Sequence, residues 1–136
     1  MFGFSNGRKR PLVLHVDDDP AIREIIALTL ENLGLDVLSA PDGPTGLNLA
    51  RDKRPDLILL DIRMPGMDGF DTCHYLKTDP KTKATPVIML TAMGQGKDVE
   101  KAIANGADAY IQKPIDFDKL QDKISTFVKI TPPPRR

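Results

Sequence analysis

Leu57-Ile58-Leu59-Leu60 is a run of four large apolar residues that ends on a carboxylate, Asp61. Pro55 and Asp56 lead into it, and Met64-Pro65-Gly66 breaks the chain shortly afterwards. A strand that is apolar at every position cannot alternate between core and solvent, so both of its faces are covered. That points to the middle of a parallel sheet with helices packed on either side. A charge is costly inside such a core, which puts Asp61 at the mouth of the sheet. In open α/β sheets that mouth, at the carboxyl ends of the strands, is where ligands bind. An Asp after a strand can equally cap a turn, so other strand ends must decide.

Four more strand-then-helix units surround this one. Pro11 to Val16 reads as the first strand and is followed by Asp17-Asp18-Asp19-Pro20. Asp19 suits a helix cap and Pro20 the first helical position. Ile22, Ile25, Ile26, Thr29, Leu30 and Leu33 then recur at helical spacing up to about Asn32, and Gly34 supplies the stop. Leu35 to Ala40 is a second strand, and a helix reaches about Asp52, its beginning weakened by Gly43 and Gly46. A third helix, about Gly69 to Lys77, offers Phe70, Cys73, His74 and Leu76. Pro86 to Leu90 is the fourth strand and ends at Thr91-Ala92. The Met93-Gly94-Gln95-Gly96 link leads to a helix of thin apolar content over about Lys97 to Asn105, with Val99, Ala102 and Ile103 for packing. Ala107 to Ile111 is the fifth strand, closed by Gln112-Lys113-Pro114, and a last helix runs from about Phe117 to Val128.

The 136 residues suit one domain. Residues 1–10 read as a flexible basic lead-in, 11–129 as the folded domain, and 130–136 as a proline-rich tail or linker start. Nineteen basic and nineteen acidic side chains cancel, which removes any bulk electrostatic case for nucleic acid or an acidic membrane. One cysteine, Cys73, excludes an internal disulfide and a thiolate-rich metal site. No apolar run approaches membrane-spanning length, so the cytoplasm is the expected compartment.

Parallel connectivity brings the strand ends to one edge, so Asp17, Asp18, Asp61, Thr91 and Lys113 can converge. Carboxylates sharing a cleft repel one another unless a cation is present. Oxygen donors alone favour Mg2+, which takes one or two carboxylates together with water and phosphate oxygens. Zinc fits poorly, because His15 and His74 lack partners at ligand spacing. His15 lies inside a strand and reads as a packed or hydrogen-bonded residue. Lys113 and Thr91 are not needed to hold a metal; both make sense where phosphoryl oxygens enter the site. The nucleophile is then a carboxylate.

Four stretches, in this order, carry a resemblance: Val16-Asp17-Asp18-Asp19-Pro20, Leu59-Leu60-Asp61-Ile62-Arg63-Met64-Pro65-Gly66-Met67-Asp68-Gly69, Pro86-Val87-Ile88-Met89-Leu90-Thr91-Ala92, and Gly106-Ala107-Asp108-Ala109-Tyr110-Ile111-Gln112-Lys113-Pro114. From Pro11 to Val128 the chain resembles the receiver domain of bacterial two-component response regulators. The resemblance implies a flavodoxin-like (βα)5 three-layer sandwich with sheet order 2-1-3-4-5. It implies Asp61 as phosphoacceptor and a Mg2+ site, open to Mn2+, made by Asp18, by Asp17 largely through water, by Asp61 and by the backbone carbonyl of Arg63. Thr91 and Tyr110 match the switch residues, and Lys113 the lysine that pairs with phosphate or Asp61. Ala92, Gly69 and Pro114, the last after a cis peptide, match supporting positions. The implied donor is a sensor histidine kinase or phosphotransfer protein, and the receiver later hydrolyses its own phosphoaspartate. The implied output is a downstream protein or fused domain read through the fourth helix, fifth strand and fifth helix, a face that also serves homodimers. No direct nucleic-acid contact by this segment and no membrane association are expected.

Arg63 and Met93 match two positions that vary among such proteins, and neither offers a carboxylate or amide to hold an attacking water. A phosphoaspartate lifetime of minutes or longer follows. Two rival enzymatic readings fit less well. A haloacid-dehalogenase-like phosphohydrolase places a second Asp two residues after its nucleophile, where this chain has Arg63. A dinucleotide fold needs a glycine-rich turn where Asp17-Asp18-Asp19 stands. The non-catalytic alternative is a phosphorylation-independent docking module with the same fold.

Overall fold

The computed structural model describes residues 10–92 and 96–132. The basic lead-in up to Lys9, the link residues Met93, Gly94 and Gln95, and the tail from Pro133 onward lie outside the described residues. The elements alternate along the chain: β1 (Leu12–Val16), α1 (Pro20–Glu31), β2 (Asp36–Ala40), α2 (Gly43–Lys53), β3 (Leu57–Asp61), α3 (Gly69–Thr78), β4 (Val87–Thr91), α4 (Gly96–Ala104), β5 (Ala109–Gln112) and α5 (Phe117–Ser125). All pairings are parallel and the sheet order is β2-β1-β3-β4-β5, as the resemblance implied.

β3 is buried along its whole length, which is why its apolar run does not alternate. Its side chains divide between two cores. Ile58 and Leu60 pack with Phe70, Cys73 and Leu76 of α3 and Ala102 of α4. Leu57 and Leu59 pack with Ile26 and Leu30 of α1 and Leu120 and Ile124 of α5. Each such leucine or isoleucine contributes about 1.5–3 kcal/mol when fully buried. Cys73 is one of these core residues, and burial pushes its thiol up to about 11, so it behaves as an apolar side chain.

Helix starts follow from the aspartates. Asp19, Asp42, Asp68 and Asp116 cap α1, α2, α3 and α5, each accepting from backbone amides of the first turn. Gly46 is less a weakness of α2 than a packing requirement. A Cβ there would lie 2.7 Å from a methyl of Val16, so its absence lets α2 lie against β1.

Several expectations change in the folded chain. Sequence spacing places Ile25, Ile103 and His74 on packing faces, but Ile25 and Ile103 are 47% and 61% exposed and His74 is also exposed. A helix laid on a sheet buries only a narrow stripe, here Ile26 and Leu30 in α1 and Asp98 and Ala102 in α4. α5 ends at Ser125 rather than Val128; Phe127 and Val128 still pack on the core from the turn beyond it.

The two ends of the described chain are also docked. Arg10 donates from Nε to the Gly34 carbonyl and from Nη2 to those of Glu31 and Leu35, so its guanidinium closes the C-terminus of α1. Thr131 donates its amide to Leu33 O at 2.6 Å, and Ile130 packs on the edge of the core that α1 and α5 share. Arg10→Ala should therefore lower unfolding stability by about 1 kcal/mol, read as a shifted urea midpoint with an unchanged slope. No helix among the described residues is long and apolar enough to cross a membrane.

Candidate functional site

Asp61 is the last residue of β3 and is buried, in register with Leu90 of the neighbouring strand. Asp17 follows β1, and its amide still bonds the Ala40 carbonyl at 3.0 Å, so the extended pairing carries it into the cleft. Asp18 stands beside it, exposed. One carboxylate oxygen from each of Asp17, Asp18 and Asp61 lies within 4.8 Å of the others. Lys113, just past β5, places Nζ 2.9 Å from Asp61 Oδ1. Residues spread over almost 100 positions of sequence therefore meet at one sheet edge.

The electrostatics follow from crowding. Burial pushes the Asp61 carboxyl above its ordinary value; the Lys113 ammonium opposes this and Asp17 adds to it, leaving the net direction upward. Asp17 goes the other way. Its burial also pushes up, but the His15 ring, the Asp19 amide and the Lys113 charge together hold it below the usual carboxylate value. Three hard oxygen donors, one of them exposed, next to a single ammonium make a set suited to a hydrated divalent ion of the Mg2+ kind.

The other expected residues lie around this cluster. Gly69 opens α3 and donates its amide to Ile62 O at 2.9 Å, folding the loop after β3 tightly against Asp61. Thr91 ends β4 with its hydroxyl turned to Ile111 O at 3.5 Å, and is buried. Ala92 follows it, half-buried. Tyr110 is on β5 and is 41% exposed, and the Lys113–Pro114 peptide is cis. Arg63 places its guanidinium Nη2 2.7 Å from Asp98 Oδ2, in the first turn of α4. Met93 lies outside the described residues.

Two relationships escaped the sequence. Asp98 is a buried carboxylate held by Arg63 across 35 positions, a separation that no local pattern signals. His15 is fully buried with its ring turned to Asp17; its spacing two residues before Asp17 was the only available signal.

A family model described as "Response regulator receiver domain" matches residues 13–125. The chain is a response regulator receiver domain. It is 41% identical over 121 residues to the DNA-binding dual master transcriptional regulator RpaA of Synechocystis, covering 89% of this chain and 50% of that protein. It spans about half the length of the curated relatives it matches. Among solved structures, the chemotaxis protein CheY4 of Vibrio cholerae aligns with a TM-score of 0.82 and 31% identity, over 88% of this chain and 99% of that one. The receiver domain of sensor histidine kinase PA1611 from Pseudomonas aeruginosa aligns with a TM-score of 0.80 and 29% identity, over 87% and 97%. That relative's structure has a magnesium ion coordinated in its active-site cleft.

Proposed function

We propose that this receiver domain takes a phosphoryl group from the phosphohistidine of a histidine kinase or phosphotransfer protein onto Asp61. The observation that carries the reading is the Lys113 ammonium at 2.9 Å from Asp61 inside a cluster of three carboxylates. An acidic cluster that served only to hold a cation would have no use for a lysine on one of its ligands. Asp18, Asp61, the carbonyl of Arg63 and, largely through water, Asp17 are the residues to hold Mg2+, with Mn2+ as a substitute. When bound, the ion screens the carboxylates from one another and from incoming phosphoryl oxygens.

In the transfer, a carboxylate oxygen of Asp61 forms a bond to phosphorus, the phosphorus–nitrogen bond breaks, and the leaving imidazole takes up a proton. Lys113 then exchanges its contact with Asp61 for one with a phosphoryl oxygen. Thr91 makes only a long bond to Ile111 O, so its hydroxyl is free to turn to the same phosphoryl group. That movement vacates space behind it, and Tyr110, half out of a groove of about 570 Å3 along β5 and α5, rotates inward. Ala92 and Pro114 shape the loops on which these residues move. The face formed by α4, β5 and α5 is thereby altered for a downstream protein, an output domain or a second copy, with protein rather than nucleic acid as its contact and the cytoplasm as its setting.

Acetyl phosphate or beryllofluoride with Mg2+ tests the reading. We expect one modified site at Asp61, lost on chelation by EDTA. Failure to take up either reagent would favour a phosphorylation-independent docking module. Once formed, the phosphoaspartate should last minutes or longer, because Arg63 is committed to Asp98 and offers no amide to an attacking water. Arg63→Asn should shorten that lifetime several-fold, measured as decay of phosphorylated protein after rapid removal of donor. A wild-type lifetime of seconds would contradict the assignment.

A further inference from the structure

His15 is a fully buried ring on β1, on the sheet face covered by α1 and α5, in register with Ser39 and Leu59. Neither ring nitrogen has a hydrogen-bond partner among the described residues. The same is true of one nearby atom, Asp17 Oδ2. Leaving such groups unpaired in a core costs about 1–3 kcal/mol each. The two orphans face each other: His15 Nε2 is 3.5 Å from Asp17 Oδ2, with both side chains almost entirely sealed from solvent. The spacing explains the encounter. Residues i and i+2 of an extended strand project to the same side, and Asp17 remains extended because its amide pairs with Ala40 O.

Asp17's other oxygen is already engaged, since Oδ1 accepts the Asp19 amide at 3.0 Å. A carboxylate gripped at both oxygens has its plane and remaining lone pairs fixed in direction. We propose that His15 is a positioning residue which donates from Nε2 to Asp17 Oδ2 and thereby presets Asp17 for the divalent cation. A movement of a few tenths of an ångström closes the present gap to an ordinary hydrogen bond and satisfies two buried atoms at once. The ring must carry its proton on Nε2 to do this, because a carboxylate oxygen can only accept. Outer hydrogen bonds of this kind typically hold about a tenfold share of metal affinity. The inference rests on the metal site proposed above.

The experiment is Mg2+ titration of the full chain by calorimetry, wild type against His15→Leu, His15→Asn and His15→Gln, with thermal melts of the Mg2+-free proteins. Gln carries a donor to the reach of Nε2, whereas Asn stops near Nδ1 and Leu has none. The expected result is about tenfold weaker Mg2+ binding for Leu and Asn and near-wild-type binding for Gln. The Leu variant should melt at or above wild type, since it removes a buried polar ring, so affinity and stability move in opposite directions. Equal Mg2+ affinity in wild type and His15→Leu overturns the proposal, as does a loss that merely tracks a lower melting point. Absence of Mg2+ binding by wild type instead overturns the metal site itself and the inference with it. If the Leu and Asn variants do not fold, nitrogen-15 histidine spectra of wild type decide. A proton on Nε2 whose resonance shifts on adding Mg2+ supports the assignment, and a bare Nε2 overturns it.

Discussion

Asp61→Asn should abolish phosphorylation while making the protein more stable. Intact mass spectrometry after incubation with acetyl phosphate and Mg2+ should find no phosphorylated species, because the amide oxygen is a poor nucleophile and no other carboxylate among the described residues is ion-paired with Lys113. The stability gain comes from burial, which disfavours the charged carboxylate more than Lys113 restores it. The Lys113 side chain is 34% exposed, so on losing its partner it can turn to water rather than remain a stranded buried charge. In Mg2+-free buffer at neutral pH we expect a gain of about 1 kcal/mol, or a few degrees in Tm. Its pH dependence gives a second test. With its midpoint raised in the fold, Asp61 binds more protons folded than unfolded from about the ordinary 3.8 upward. Wild-type stability therefore falls as pH rises through that window. The advantage of the variant should open above pH 3.8 and close below it. Asp17, whose midpoint is depressed, contributes oppositely: its stabilisation is complete above 3.8 and lost as pH falls through its folded midpoint. It is present in both proteins and so largely cancels from the difference. A gap that widens toward acid would contradict the assigned burial cost.

Gly69→Ala should be the most damaging small substitution in the loop. The added Cβ would overlap the carbonyl oxygen of Asp61 and lie 2.6 Å from the Ile62 Cα. Both are backbone atoms at the end of a buried strand, so no rotamer change relieves the clash. Relief requires lifting the start of α3 off β3, which breaks the Gly69 to Ile62 hydrogen bond and shifts Asp61 with it. We expect a loss of about 3 kcal/mol by urea denaturation, with weaker Mg2+ binding in whatever folds. Gly96→Ala is the matching control. Nothing among the described residues lies within 4 Å of its added Cβ, its φ is ordinary, and it opens a helix, so it should be neutral or mildly stabilising. Equal effects at the two positions would show that helix propensity rather than strand-end crowding governs Gly69.

The difference between those glycines illustrates what could be read before the fold was known. Asp19-Pro20 announces a helix start because capping is a local event, decided by two adjacent residues. The apolar run of β3 announces a covered strand for the same reason. The convergence of Asp17, Asp61 and Lys113 was legible only because alternating strands and helices force a parallel sheet, whose ends share one edge. What stayed hidden depends on contacts chosen by tertiary packing. Helical spacing put Ile25 and Ile26 on one face, but the sheet covers only one of them. Arg10 reads as part of a loose basic lead-in until the carbonyls of Glu31, Gly34 and Leu35 are brought to it. Arg63 reads as a site residue, but the partner of its side chain stays hidden until α4 delivers Asp98.

Arg10 and Thr131 both fasten to the C-terminal corner of α1, so the described chain enters and departs at neighbouring points. That corner belongs to the pole of the domain opposite the carboxylates, separated from them by the length of a strand, about 17 Å. A module tethered through Arg10 or Thr131 would therefore join the domain on the side away from the carboxylates. For such a passenger, news of phosphate at Asp61 would arrive through a shifted flank of the domain, as a change in whom it can touch.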